Sequence, residues 1–401
     1  MQVIQLSLFL TAVLGVAAAQ SSASAQPQSP SPAQQVWQMQ ESGTTAGLRG
    51  IDSVDGTVAW ASGTCGTVLR TTDGGAHWQR CAVPDAATDG GTLDFRGVQA
   101  WDCDTAIVMA SGPGDKSRLY KTTDGCKTWT LLFGNEGKDG FWDALRMWTP
   151  TDGFLAGDPV DGKLFLAEAV KELGQFVNGG FVDNYGYLLK ARGKGEAAFA
   201  ASNSCIALGP FDKQDGASRD VWFATGGTSG VRVIHLQHFD GGEPERLALS
   251  VAELPMFPRS QSGGAFSLGF RDTHKPFTEV FFRGGGGTNL TNWQLIAVGG
   301  DYSKPIGSTG TAAWSEDSGR HWTASTIPPH GFRSAVQWSE ALNAWITAGT
   351  NGSDISRDDG KTWKPLDDGN WNALSLPFVV GPSGRIARLN PQSLGSTPVQ
   401  P

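Results

Sequence analysis

Arg49, Arg96 and Arg333 each hold the second place of a short segment that recurs along the chain, and Asp143 and Glu196 hold that place in two further copies. The copies read Leu48-Arg49-Gly50-Ile51, Phe95-Arg96-Gly97-Val98, Trp142-Asp143-Ala144-Leu145, Gly195-Glu196-Ala197-Ala198, Gly263-Gly264-Ala265-Phe266, Phe332-Arg333-Ser334-Ala335 and Trp371-Asn372-Ala373-Leu374. A guanidinium is a planar fork of donors shaped for carboxylates and phosphates, so a row of arginines suits an anionic ligand or acidic side chains of a protein. Two facing carboxylates, Asp143 and Glu196, would instead suit glycoside hydrolysis, with one protonated as the acid. The competing expectation is that the arginines and carboxylates pair with each other and hold no ligand.

Other candidates carry less. His235 and His238 stand three apart in a strand-like run, so they point to opposite faces and do not make a metal site. The glycine run 284–287 lacks the Lys-Ser/Thr of a phosphate-binding loop and reads as a flexible insertion. No zinc spacing, nucleophile elbow or dinucleotide fingerprint occurs, so neither metal nor cofactor is expected. Asn289 and Asn351 begin glycan acceptor sequons that matter only in a eukaryotic host.

The elements that must position these residues are also repeated. Thr71-Thr72-Asp73-Gly74-Gly75-Ala76-His77-Trp78 has three close variants, at 122–129, 315–322 and 356–363. Each offers a hydroxyl, an Asp two residues on, a turn Gly and a closing Trp; only Cys126 replaces the Gly. The hydroxyl and carboxylate can take up amides of a tight turn, the Gly permits positive φ, and the Trp buries a large apolar face. The structural pairs are thus Asp73 and Trp78, Asp124 and Trp129, Asp317 and Trp322, and Asp358 and Trp363. An apolar strand ending in small residues and Gly appears seven times, at 58–63, 107–112, 154–157, 222–227, 295–300, 345–349 and 378–381. The third place of the arginine-bearing segments is always Gly, Ala or Ser, as strands converging on an axis require.

These signals predict an all-β, seven-bladed β-propeller over residues 36–391. The seventh unit ends after three strands, and Val36-Trp37-Gln38-Met39-Gln40 is expected to supply its fourth and close the ring. Round such a ring Arg333, Asn372, Arg49 and Arg96 form a cationic arc facing Asp143 and Glu196, with Asp158 and Asp301 approaching the same mouth. The unit after Lys163 lacks the turn motif, and Val170-Lys171-Glu172-Leu173 could form a helical turn.

The turn motif resembles the Asp-box, or BNR, repeat, in which the box marks the propeller fold and leaves function open. Residues 36–391 further resemble photosystem II stability/assembly-factor-like propellers in the Phe-Arg-Gly-Val segment, the Gly157-Asp158-Pro159 step and the Gly195-Glu196-Ala197 step. That resemblance implies a non-enzymatic scaffold that binds a protein through arginines, here Arg49, Arg96 and Arg333. The alternative is a sialidase-like BNR-repeat glycoside hydrolase. Against it, the sialidase Arg-Ile-Pro segment is missing, and Tyr185, Tyr187 and Tyr302 have no evident partner.

Net charge is −8 and the pI about 5.3, which disfavours nucleic acid and anionic membranes as partners. Residues 1–19 read as a signal peptide, 20–35 as a disordered leader and 392–401 as a disordered tail. A retained anchor is the alternative for the first stretch, but it is short for a bilayer span. The expected product is an exported monomer, periplasmic or secreted, with no membrane span after signal removal. Export favours oxidation, so Cys65–Cys81 and Cys103–Cys126 are the expected disulfides, with Cys205 free and buried; the alternative is five reduced thiols.

Overall fold

The four repeated turns share one hydrogen-bonding scheme. In the first, Thr71 Oγ1 donates to Asp73 Oδ1 (2.8 Å) and accepts from Gly75 N (3.0 Å), while Asp73 Oδ1 accepts from His77 N (2.9 Å). The turn at 122–129 repeats this with Thr122, Asp124, Cys126 and Thr128. Ser315 with Asp317 and Ser356 with Asp358 do the same. Two successive residues take positive φ in every copy, including Gly125 (69°) and Cys126 (65°). Each closing Trp packs into the interface with the preceding unit; Trp78, for example, meets Phe378 edge-on at 5.8 Å.

Our computed structural model describes residues 35–84, 86, 93–170, 175–177, 190–209, 218–239, 246–256, 259–277 and 290–394. The chain is a seven-bladed β-propeller built from seven antiparallel sheets. Blade one contains Leu48–Ser53, Ala59–Gly63, Thr67–Thr71 and Gln79–Cys81, strands a to d from the axis outward. The a strands of blades two and three are Phe95–Ala100 and Trp142–Thr149; those of four and five are Ile206–Leu208 and Gly263–Phe277. Blade six begins with Ala335–Ser339. Blade seven runs Ala373–Ser375, Phe378–Val380 and Ile386–Leu389, and its outer strand is Trp37–Gln40, registered Trp37 to Leu389 and Gln40 to Ile386.

Seven apolar clusters hold the ring, one in each gap between neighbouring blades. The gap between blades seven and one, with Leu48, Ile51, Phe378 and Ile386, is as apolar as the others. Closure thus rests on core packing as well as on one strand pair, and it removes sheet edges that would otherwise recruit other chains.

The narrow axis is filled by small polar side chains. Asn203 at positive φ (60°) accepts from Leu145 N (2.7 Å) and donates to Val98 O (3.3 Å), joining blades three and two. A Cβ on Gly97 would sit 2.7 Å from that Asn203 side chain, so only Gly fits there. Ser202 reaches Ser334 O (2.5 Å), Ser334 reaches Asn372 O (2.7 Å), and Asn372 Nδ2 donates to Leu48 O (2.8 Å).

Several expectations are corrected here. The segment 195–198 is not strand a of blade four: Glu196–Ala197 pairs with Gly226–Gly227 as an extension of the blade-five sheet. Its Gly-Glu-Ala-Ala run imitates the axial pattern, whereas the residues at the axis are Ser202, Asn203 and Ser204. The disulfide joins Cys81 to Cys126, not Cys65 to Cys81 or Cys103 to Cys126. The repeated turns lean on the preceding blade, so Cys126 faces the outer strand of blade one, where Cys81 lies in the same apolar cluster. Cys65 is exposed in the b–c turn of blade one, Cys103 is half-buried, and Cys205 is free and buried. Val170 ends a strand, Lys163–Val170, and the remaining residues of the expected helical turn, 171–173, lie outside the described residues. Order also continues past 391: Pro391–Leu394 forms a 3-10 turn, and Leu394 packs on the gap between blades six and seven. Residues 1–34, 171–174, the glycine run at 284–287, Tyr185, Tyr187, Asn289 and 395–401 lie outside the described residues.

Candidate functional site

The first residues of the a strands point into one end of the axis because several of these strands carry a bulge there. The register slips between Leu48 and Gly50, Phe95 and Gly97, Trp142 and Ala144, and Ala265 and Ser267. The extra residues are Arg49, Arg96, Asp143 and Phe266, and a bulge re-aims the side chain it carries.

Arg49 and Arg96 share one carboxylate. Asp94 lies 2.9 Å from Arg96 Nε through Oδ2 and 3.2 Å from Arg49 Nε through Oδ1. The second contact is an ion pair without hydrogen-bond alignment, since both its atoms are buried with no hydrogen-bond partner. The side chains of Arg49, Arg96 and Asp94 remain 34%, 28% and 21% exposed. Burial pulls the Arg49 guanidinium below its usual range, Asp94 opposes that, and neighbouring Arg96 adds to it. The Arg96 guanidinium also lies 5.5 Å from the Phe141 ring centre and 3.5 Å from Ala200 O.

Behind the pair sit two more carboxylates. Asp143 is 2% exposed and its Oδ2 has no hydrogen-bond partner. Burial pushes it well above the ordinary carboxylate range; Asp158 pushes further the same way, and Arg96 pulls back. Asp158 is raised by burial too, though it accepts Ala198 N at 3.0 Å. Residues 196–204 thus cross the mouth as a strap, anchored on Asp158 at one point and on the axis at another.

The other expected site residues are consumed inside the protein. Glu196 accepts Arg232 Nε and Nη2 (2.6 and 2.8 Å), Thr225 Oγ1 (2.7 Å) and Arg192 N (2.6 Å). With both oxygens occupied and Asp143 sealed, these two do not form an open acid–nucleophile pair. Arg333 is wholly buried, bound through Nε to Asp354 Oδ2 (2.6 Å) and through Nη1 to Asn351 Oδ1 (2.6 Å). It therefore leaves the expected arc, and the Asn351 sequon side chain is engaged inside the fold. Asn372 stitches blade seven to blade one, as described above. Asp301 clamps its own turn, accepting Ser303 N (2.9 Å), and these bonds hold it at about 2. His235 pairs with buried Asp220 (2.6 Å) and stacks on Trp222 at 4.7 Å, a packing role. Among the described residues no three metal-ligating side chains come together.

Arg49, Arg96, Asp143 and Asp158 are therefore brought together, and Asp94 joins them unforeseen. Its signal was present: Asp94 stands two residues before Arg96, the spacing that shares a face of an extended chain.

No family model matches the chain, and no curated protein matches it. Among solved structures it is similar to YCF48 from Cyanidioschyzon merolae, with TM-score 0.51, 15% identity, 89% of this chain covered and 99% of that one. It is also similar to the WD40 β-propeller domain of Doa1, with TM-score 0.50, 12% identity and coverage of 89% and 96%. A further match, YCF48 bound to D1 peptide, has TM-score 0.48, 16% identity and coverage of 88% and 96%. At these identities the likeness is one of fold.

Proposed function

We propose that this protein is a non-catalytic propeller scaffold that holds a partner protein by a carboxylate at the Arg49–Arg96 pair. One observation carries the reading: two part-exposed guanidiniums share a single carboxylate, Asp94, and one of those contacts is poorly aligned. An incoming carboxylate would meet the exposed part of the two guanidiniums, and the half-sheltered site would screen it less than open water. The sealed state of Asp143 and the full engagement of Glu196 favour binding over glycoside hydrolysis. We read the four turns as Asp-box repeats, the role as one like that of photosystem II assembly factors, and the chain as exported and monomeric. The site chemistry equally admits a small anion or an acidic glycan as the ligand class.

The test is thermal shift with soluble carboxylates, phosphates and glycans on the intact protein and on Arg49→Ala and Arg96→Ala. Stabilisation by carboxylates that both substitutions abolish is the expected result. Glycan hydrolysis that survives both substitutions and is lost in Asp143→Asn would overturn the scaffold reading.

A further inference from the structure

The mouth has a second half that no repeated motif marks. In blade five the bulge residue is Phe266, in the place that Arg49 and Arg96 take in blades one and two. Phe266 stacks on Phe199 at 3.9 Å and meets Phe332 edge-on at 4.8 Å and Tyr302 at 6.1 Å. The three phenylalanines are buried, but Tyr302 is 54% exposed and Ile306, on the same loop, 81% exposed.

That loop is pinned. Tyr302 N donates to Ser262 O (3.2 Å), Lys304 N to Asp301 O (2.9 Å), Gly307 N to Lys304 O (2.9 Å), and Phe332 N to Pro305 O (2.9 Å). Tyr302 and Ile306 are therefore held out in water by a loop that cannot fold them away. The loop also lies at the right end of the propeller. It joins strands b and c of blade five, and Asp301 pairs with Gly263 at the start of strand a, as Gly63 pairs with Leu48 beside Arg49. The strap connects the halves, since Arg96 reaches Ala200 O and the next residue, Phe199, lies on Phe266.

We propose that the mouth takes a linear segment of a partner protein bearing an acidic residue and, further along the same segment, a large apolar side chain. The carboxylate sits against Arg49 and Arg96, and the apolar group against Tyr302 and Ile306. Charge complementarity selects a peptide. Two part-exposed guanidiniums face the mouth with one shared carboxylate, Asp94; burial pushes Asp143 and Asp158 behind them toward their neutral forms, and exposed Lys304 adds a cation on the apolar side. This inference rests on the arginine reading above and adds the specificity of the partner.

The probe is a phage-displayed library of random linear peptides, panned on the intact protein, with enriched sequences synthesised for fluorescence anisotropy. Enriched peptides should pair an acidic with a large apolar residue at one constant spacing, and Arg49→Ala with Arg96→Ala should abolish binding. Tyr302→Ser with Ile306→Ser should weaken binding about tenfold. Replacing the peptide's apolar residue by Ser should cost as much in the wild type and little more in that variant. An acidic consensus without an apolar residue, or affinity indifferent to Tyr302→Ser and Ile306→Ser, would overturn this inference and leave the arginine reading standing. Absence of enrichment, or binding indifferent to both arginines, would overturn both. Self-association in sedimentation that Tyr302→Ser abolishes would assign the loop to a second copy and refute the peptide reading.

Discussion

Arg333→Ala should damage the fold, although by its place in the repeat Arg333 looks equivalent to Arg49. Its guanidinium is wholly inaccessible and faces Asp354, which is equally buried. Burial pulls the guanidinium down while Asp354 holds it charged. Truncation leaves the Asp354 carboxylate with His330 as its remaining partner, through Nδ1 at 2.7 Å and N at 3.2 Å, and it unpairs Asn351 Oδ1. Breaking one side of a buried ion pair costs about 3–5 kcal/mol. For a domain of this size that corresponds to a fall in Tm of about 4–7 °C. Arg49, a third exposed and already poorly aligned with Asp94, should lose less than about 1 kcal/mol on truncation. Urea denaturation of both variants beside the wild type measures the contrast. Arg333→Met with Asp354→Asn should recover part of the loss, because the stranded charge is gone. Equal midpoints for Arg333→Ala and Arg49→Ala would refute the reasoning and return Arg333 to the mouth.

Three further outcomes are expected. Asp143 and Asp158 have folded-state pKa values raised by burial, so their contribution is present below the ordinary carboxylate pKa and is lost as pH rises through the raised values. Asp143→Asn should therefore stabilise the protein above that window and flatten this limb in urea midpoints taken from pH 4 to 8; unchanged pH dependence would contradict it. Asp73 and Asp124, held at about 2 by turn bonds, act oppositely, and their contribution disappears as pH falls from the ordinary carboxylate range through about 2. Non-reducing peptide mapping should recover Cys81 joined to Cys126, and Cys81→Ser with Cys126→Ser should cost roughly 2–4 kcal/mol, since the bond closes a 45-residue separation. Trp37→Ala should cost about 3–5 kcal/mol by emptying a buried site and losing the bond to Ser353 Oγ (2.9 Å), and deleting residues 36–43 should yield aggregates in size-exclusion chromatography.

The parts of the fold legible in the sequence were those written locally. Each repeated turn is made by residues within eight places of one another, so Thr71, Asp73, Gly75 and Trp78 announce it without help from elsewhere. The blade count and closing strand follow from the period. Blade four escaped because Glu196 imitates the axial pattern while its carboxylate answers Arg232, thirty-six positions away. The three arginines show the same limit at the site. Arg333 reads as a match for Arg49, but Ala335 pairs with Ala348 as Gly50 pairs with Ser62, so Arg333 stands one place earlier, where blade one has buried Leu48, and there it meets Asp354 on the c strand of blade six. The disulfide required knowing that each turn leans on the blade before it, which is a property of the ring and of no single unit.

The strand pair between Trp37–Gln40 and Ile386–Leu389 also sets the order in which the molecule can be completed. The strand that finishes the seventh blade is made before every other described strand of the propeller, and its partner is the last of them. Until Leu389 is free, the gap between blades seven and one stays open, with Leu48, Ile51 and Phe378 wetted. The ring therefore cannot close before its last strand is made, and loss of Ile386–Leu389 leaves Trp37–Gln40 without its partner strand.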